Sequence, residues 1–248
     1  MEAQVENKLR YVWDPLLRGL HWWIALTTFI QVGVGALFMF FEDSLSEGLE
    51  DTLIDIHGVV GYLFGAGILV RILWLFIGPP TASWRDMVPI KPPQRKVFFD
   101  TIKFYLSFLR GKAPLYKAHN TFAGPIYLAF FFVAALQITS GVMLLDSHDE
   151  GASVQLFSFA YAYEGGDGLL DENNDGGGEQ DEESFFEEIF EEIFEEAHEV
   201  GFFVFIFFIF AHIFAVLVHE FAETHRIIFA MFHGKKRFTD EEWKELEK

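Results

Sequence analysis

Apolar residues collect along the chain in four blocks, roughly 20–41, 58–78, 121–145 and 200–218, with polar, charged segments between them. Each block is close to the ~20 residues with which an α-helix crosses ~30 Å of hydrocarbon. The first block is not a cleaved signal peptide, because it is too long, lacks a small-residue cleavage site and contains His21-Trp22-Trp23. The pattern predicts an all-α integral membrane four-helix bundle, a single membrane domain over residues 1–248. Helix one begins after Trp13-Asp14-Pro15, and helix two stops at Gly78-Pro79-Pro80.

The segments between the blocks carry patterns of their own. Residues 42–55 read as a short acidic loop. In the connection 79–118, the stretch from Val97 to Leu109 is too short to span and is flanked by cations, as expected of a helix lying in the membrane interface. Residues 146–197 form an acidic loop that ends in an amphipathic helix. Phe185, Phe186, Ile189, Phe190, Ile193, Phe194 and Ala197 keep to one helical face with glutamates opposite, and this helix is expected to run directly into helix four. Residues 219–248 are a tail in which Thr239-Asp240-Glu241-Glu242 is a capping box opening a short helix. Within the acidic loop, Asp171, Asn173, Asp175, Gly176 and Glu182 match the spacing of a calcium-binding loop. Gly178 stands where such loops carry an apolar residue, and the run reads equally as a solvated, disordered segment.

Composition narrows the chemistry. The chain is 51% hydrophobic, with 31 phenylalanines and no cysteine. That excludes disulfides, thiolate-held iron–sulfur clusters and covalently attached c-type haem. Any metal or haem must be held by His, Met or carboxylates. The 18 Lys and Arg residues sort by segment: none lies in 42–56 or 146–197, and nearly all the rest are in the N-terminal segment, loop 79–118 and the tail. By the positive-inside rule the termini and loop 79–118 are expected in the cytoplasm of a multi-pass protein of the bacterial inner membrane. The two outer segments hold six and 18 acids and no cation, which suits a basic partner protein. Membrane lipid is the other expected partner, and no nucleic acid is expected.

Ionisable groups within spanning segments are expensive and are functional candidates by default. His21, His57, His119, His198, His212 and His219 all fall inside the apolar blocks or at their edges. His198 and His212 are 14 apart, which leaves them about 40° from eclipsed on one helix face and about 21 Å apart along the axis. Two ligands on one face, one near each membrane surface, is the requirement of two stacked haems. The offset of 14 recurs in His57 and Arg71 on helix two and in His21 and Gly35 on helix one. Matching depths then pairs His21 with His212 at an inner haem and His57 with His198 at an outer one. Gly35 would admit the outer porphyrin close to the backbone, and Arg71 would neutralise a propionate of the inner one. His219, about 20° from His212 on the same face, and His119, at the inner end of helix three, are alternative inner ligands. Interfacial histidines that bind nothing are the plainer alternative. Bis-histidine ligation leaves no open iron position, which suits electron transfer. His119, Asn120, His219 and Glu220 supply donors for a quinone at the inner end.

The run Tyr11-Val12-Trp13-Asp14-Pro15-Leu16-Leu17-Arg18-Gly19-Leu20-His21-Trp22 resembles the opening of the bacterial cytochrome b561 and nickel–iron hydrogenase cytochrome b family. His119-Asn120-Thr121-Phe122-Ala123-Gly124 is similar to that family's His-Asn-Pro start of the third helix, with Thr121 in place of proline. His198-Glu199 and Ala211-His212-Ile213-Phe214-Ala215 resemble its fourth helix. The resemblance implies a four-helix di-haem b subunit, quinone-reactive and part of an oxidoreductase complex. It would link the quinone pool to a periplasmic cytochrome c or a hydrogenase-like redox subunit, with ligands at His21, His57, His198 and His212. The acidic insertion at 146–197 departs from the family's short loop. Two other function classes fit the same residues: a membrane anchor or assembly subunit that recruits a partner through the acidic loop, and a proton-coupled transporter that uses the histidines as relays.

Overall fold

The computed structural model describes residues 7–110, 114–148, 177–222 and 227–247. Four long helices dominate: α1 (Pro15–Phe41), α2 (Glu47–Ile77), α5 (Gly124–His148) and α6 (Gly177–Ala222). Each contains a stretch long and apolar enough to cross a membrane. Between α2 and α5 lie the short α3 (Trp84–Met87) and the amphipathic α4 (Pro92–Leu106). After α6 come α7 (Ile227–His233) and α8 (Asp240–Leu246). The fold is an all-α membrane four-helix bundle.

Local chemistry sets the helix ends. Pro15 occupies the first position of α1, and the Asp14 carboxylate accepts the Leu17 N–H at 3.0 Å, filling one of the donors a helix start leaves open. α2 ends at Gly78, ahead of two prolines. Thr239 and Glu242 close the reciprocal capping box of α8, at 3.1 and 3.0 Å. One expected boundary moves. α2 begins at Glu47 rather than near 58, so most of the acidic 42–55 segment is helix. Its acids at 47, 50, 51 and 55 recur at helical spacing and sit on solvated faces, so charge density alone gave a misleading signal for a loop. The amphipathic segment and helix four are one continuous 46-residue helix, about 69 Å long.

The bundle is a cycle in which α1 packs on α2, α2 on α5, α5 on α6, and α6 back on α1. Lipid is as apolar as leucine, so association rests on close fit rather than hydrophobic transfer. Phe64 and Ile68 of α2, Ala134 of α5 and Phe205 of α6 form the buried centre. Phe205 meets Phe64 and Phe130 edge-on, with ring centroids 5.8 and 5.4 Å apart. Gly67 lets α1 approach α2: a Cβ there would stand 2.7 Å from the Trp23 ring.

A second, soluble-like cluster caps the end of the bundle that holds His21. Strand β1 (Lys8–Tyr11) pairs antiparallel with β2 (Lys235–Phe238), tying the two terminal segments together. Gly234, at φ 75°, makes the turn before β2 and accepts the N–H groups of Val12 and Trp13 through its carbonyl. Lys8 and Arg10 both contact Asp240 at the start of α8, at 2.5 and 3.0 Å. Lys236 is buried, donates to the Ala118 carbonyl at 3.1 Å and stands over the rings of Trp13 and Tyr116. Val12, Trp13, Leu17, Ala118, Ala230 and Phe238 fill the space beneath.

Candidate functional site

The histidines of three bundle helices meet in two pairs. His21 in the second turn of α1 faces His212 of α6, with ring centroids 6.1 Å apart. His57 of α2 faces His198 of α6, with centroids 6.0 Å apart. α6 contributes one member to each pair because its two histidines share a face. A metal–imidazole bond is about 2.0 Å and the ring centre lies about 1.1 Å beyond the nitrogen, so two imidazoles on opposite sides of one metal ion hold their centroids about 6.2 Å apart. Both pairs have that spacing. His21, His57 and His198 are partly buried and His212 is exposed, so the protein does not close over either pair. Among the described residues no group of three or more His, Asp or Glu side chains converges on one point. The arrangement is two separate pairs of facing histidines.

The surroundings of the rings differ. Nδ1 of His198 lies 3.0 Å from Ser140 Oγ, and that hydroxyl lies 3.2 Å from the Gln137 carbonyl. Gln137 in turn donates its side-chain amide to the His198 carbonyl at 3.0 Å. Gly141 leaves room for the imidazole: a Cβ there would stand 3.0 Å from His198 Cε1. Nδ1 of His57, by contrast, is buried without a hydrogen-bond partner. Gly35, expected to admit a porphyrin, faces the Phe202 ring, 3.2 Å from where its Cβ would be.

Arg71 is buried, 6% exposed, and near enough to His21 to act on it electrostatically. Its contacts are a 3.5 Å approach to the Ala82 carbonyl and the face of Phe131. Among the described residues it has no carboxylate within ion-pair distance. A guanidinium with five donors so sparsely used, in so buried a place, suits an anionic group from outside the chain.

The family model described as prokaryotic cytochrome b561 matches residues 12–234. The chain belongs to the prokaryotic cytochrome b561 family. No curated protein and no solved structure matches it. As a cytochrome b561 family member it is a multi-pass bacterial membrane protein that binds haem b and works in electron transfer.

The remaining candidates lie at the His21 end of the bundle. Nε2 of His219 lies 2.5 Å from the Tyr105 hydroxyl of α4, and Tyr116 stands edge-on beside it. His119 pairs with Asp86 of α3, which accepts both its backbone N–H and its Nδ1, at 3.1 and 3.0 Å. The Asn120 carbonyl oxygen accepts from Thr101 and from the Phe122 N–H, while its buried Nδ2 has no partner. Phe122 touches both Phe98 and Tyr105, so α4 links Asn120 to His219. Glu220 is turned to the start of α7, accepting the Ile228 N–H at 3.1 Å. Sequence reasoning missed Ser140, Gln137, Gly141, Asp86, Thr101 and Tyr105, which act through contacts between helices and carry no periodic signal. Of the calcium-loop candidates, Asp171, Asn173 and Asp175 lie outside the described residues, as does the side chain of Glu182.

Proposed function

We propose that this chain is a di-haem cytochrome b subunit of the inner membrane that passes electrons between the quinone pool and a redox partner on the opposite face. The observation that carries this reading is the presence of two histidine pairs, 6.1 and 6.0 Å between centroids, drawn from helices that meet across the bundle. His21 and His212 would hold one haem, and His57 and His198 the other. A haem held by two histidines would supply a one-electron couple suited to electron transfer rather than oxygen chemistry. Arg71 supplies the buried cation that a propionate beside His21 needs. The distribution of Lys and Arg supports a cytoplasmic location for the termini and the His21 end, leaving the acidic segments outside to meet a basic cytochrome c or a hydrogenase-like subunit.

A quinone site at the His21 end draws support from Asn120. Its Nδ2 is a buried donor with no partner, a costly condition that a quinone carbonyl would relieve. The rings of Phe98, Tyr105 and Phe122, tilted 44–49° to one another, form an apolar cluster beside it, and the hydrogen-bonded Tyr105 and His219 place exchangeable protons nearby. Asn120→Leu should slow reduction of the protein by a water-soluble quinol about tenfold, the ~1.4 kcal/mol of one hydrogen bond, with haem content unchanged. Reduction at the unaltered rate would move the quinone away from Asn120.

A further inference from the structure

We infer that Ser140 is a positioning residue for the His57–His198 site, fixing the tautomer of His198 and thereby setting the redox potential of the haem those histidines hold. The inference rests on the ligand assignment proposed above and adds a control that the ligand set does not contain. A serine hydroxyl has one proton and two lone pairs. On α5 that proton goes to the Gln137 carbonyl at 3.2 Å, one turn back along the helix. Toward His198 the hydroxyl is therefore left as an acceptor, and the 3.0 Å contact is Nδ1–H donating to Oγ. With the proton on Nδ1, the lone pair is on Nε2, away from α5.

A serine satisfied by its own helix needs no partner, so the Ser140–Gln137 bond alone would be unremarkable. What sets this place apart is that α5 grips one turn of α6 at three points. Gln137 donates to the His198 carbonyl, Ser140 accepts from the ring, and Gly141 makes room for Cε1 at 3.0 Å from where its Cβ would stand. Neither His21 nor His212 has a side-chain hydrogen bond among the described residues, and His57 Nδ1 has no partner. Of the four imidazoles, His198 alone has its protonated nitrogen held by the protein. Such an outer hydrogen bond raises the basicity of the ligating nitrogen and so favours the ferric over the ferrous state.

The test is a potentiometric titration of the purified haem-loaded protein, following the two haems by their absorbance. Ser140→Ala should raise one midpoint and leave the other in place. The expected shift is about threefold in the ferric-to-ferrous ratio at fixed poise, or ~28 mV. Ser140→Thr keeps the acceptor and should restore the original midpoint. Two unmoved midpoints in Ser140→Ala, or an equal shift in Ser140→Thr, would overturn the inference. Should Ser140→Ala fail to assemble, Ser140→Cys, similar in volume but a weaker acceptor, takes its place: an upward shift supports the inference and no shift overturns it. His198→Ala in the same series separates this idea from its premise. If that variant keeps both haems, the ligand assignment fails. If it loses one while Ser140→Ala leaves both midpoints fixed, only the role of Ser140 fails.

Discussion

Adding a single methyl group at Gly141 tests whether the His57–His198 pair is a fitted metal site or a chance approach of two rings. A Cβ built there stands 3.0 Å from His198 Cε1, whereas ordinary carbon contacts begin at 3.4 Å. The imidazole must therefore retreat by at least ~0.4 Å or the two helices must part, since interiors at close-packed density have no slack to absorb it. The ring separation is 6.0 Å against the about 6.2 Å that two metal–imidazole bonds require, so a displacement of ~0.4 Å is about twice the pair's present departure from that spacing. Disturbing the groups that orient a metal ligand costs about 10–100-fold in affinity. Gly141→Ala should accordingly lose haem from one site about 10–100-fold more readily on dilution into detergent, while the other site stays loaded. Gly33→Ala is the control, because nothing lies within 4 Å of its added Cβ. The assay is haem stoichiometry by alkaline pyridine spectra, with thermal unfolding to show that the bundle persists. Retention of both haems in Gly141→Ala, with unchanged spectra, would refute the reasoning.

Two further outcomes concern the ends of the bundle. The hydrogen bond from Lys8, and then that from Arg10, hold the Asp240 carboxyl below its usual value. The stabilisation from that lowered value is complete above the ordinary carboxylate range and disappears as acid protonates Asp240. The protection of the Lys8–Tyr11 amides, taken relative to the intrinsic exchange rate at each pH, should therefore be steady between about pH 6 and 8 and fall below about pH 4; Asp240→Asn should show low protection throughout, and protection in that variant as high as in the parent would show that the pair does not hold the clasp. On the acidic side, segments 42–55 and 146–197 carry six and 18 acids without a cation. Electron exchange with a basic cytochrome should drop several-fold from low to high salt, and neutralising Glu187, Glu188, Glu191 and Glu192 should flatten that dependence; a rate indifferent to ionic strength would remove steering from the account.

The parts of the fold legible in the sequence are those governed by local periodicity. Four apolar blocks, the stop at Gly78-Pro79-Pro80, the capping box at Thr239 and the run of the amphipathic segment into helix four all follow from spacing along one helix. The spatial pairing of the histidines was legible for the same reason, because two histidines 14 apart on α6 share a face and constrain the depth of their partners. What the sequence hid depends on contacts between distant segments. The β1–β2 clasp joins Lys8–Tyr11 to Lys235–Phe238, two polar tetrapeptides with no pattern of their own. The pairing of His219 with Tyr105 is a matter of which face α4 turns inward. The Asp86–His119 and Ser140–His198 contacts join side chains on different elements, and neither partner advertises the other. The early start of α2 was hidden by the acids themselves, since charge at helical spacing and charge in a loop have the same composition.

The central claim is that four histidines hold two haems in the pairs that the bundle brings together. Its most direct measurement is the haem content and redox titration of the six single variants His21→Ala, His57→Ala, His119→Ala, His198→Ala, His212→Ala and His219→Ala beside the parent protein. The account predicts two haems per chain in the parent, loss of one and the same haem in His21→Ala and His212→Ala, loss of the other in His57→Ala and His198→Ala, and both retained in His119→Ala and His219→Ala. A parent protein without haem absorbance, or a haem lost in His219→Ala and kept in His212→Ala, would contradict it.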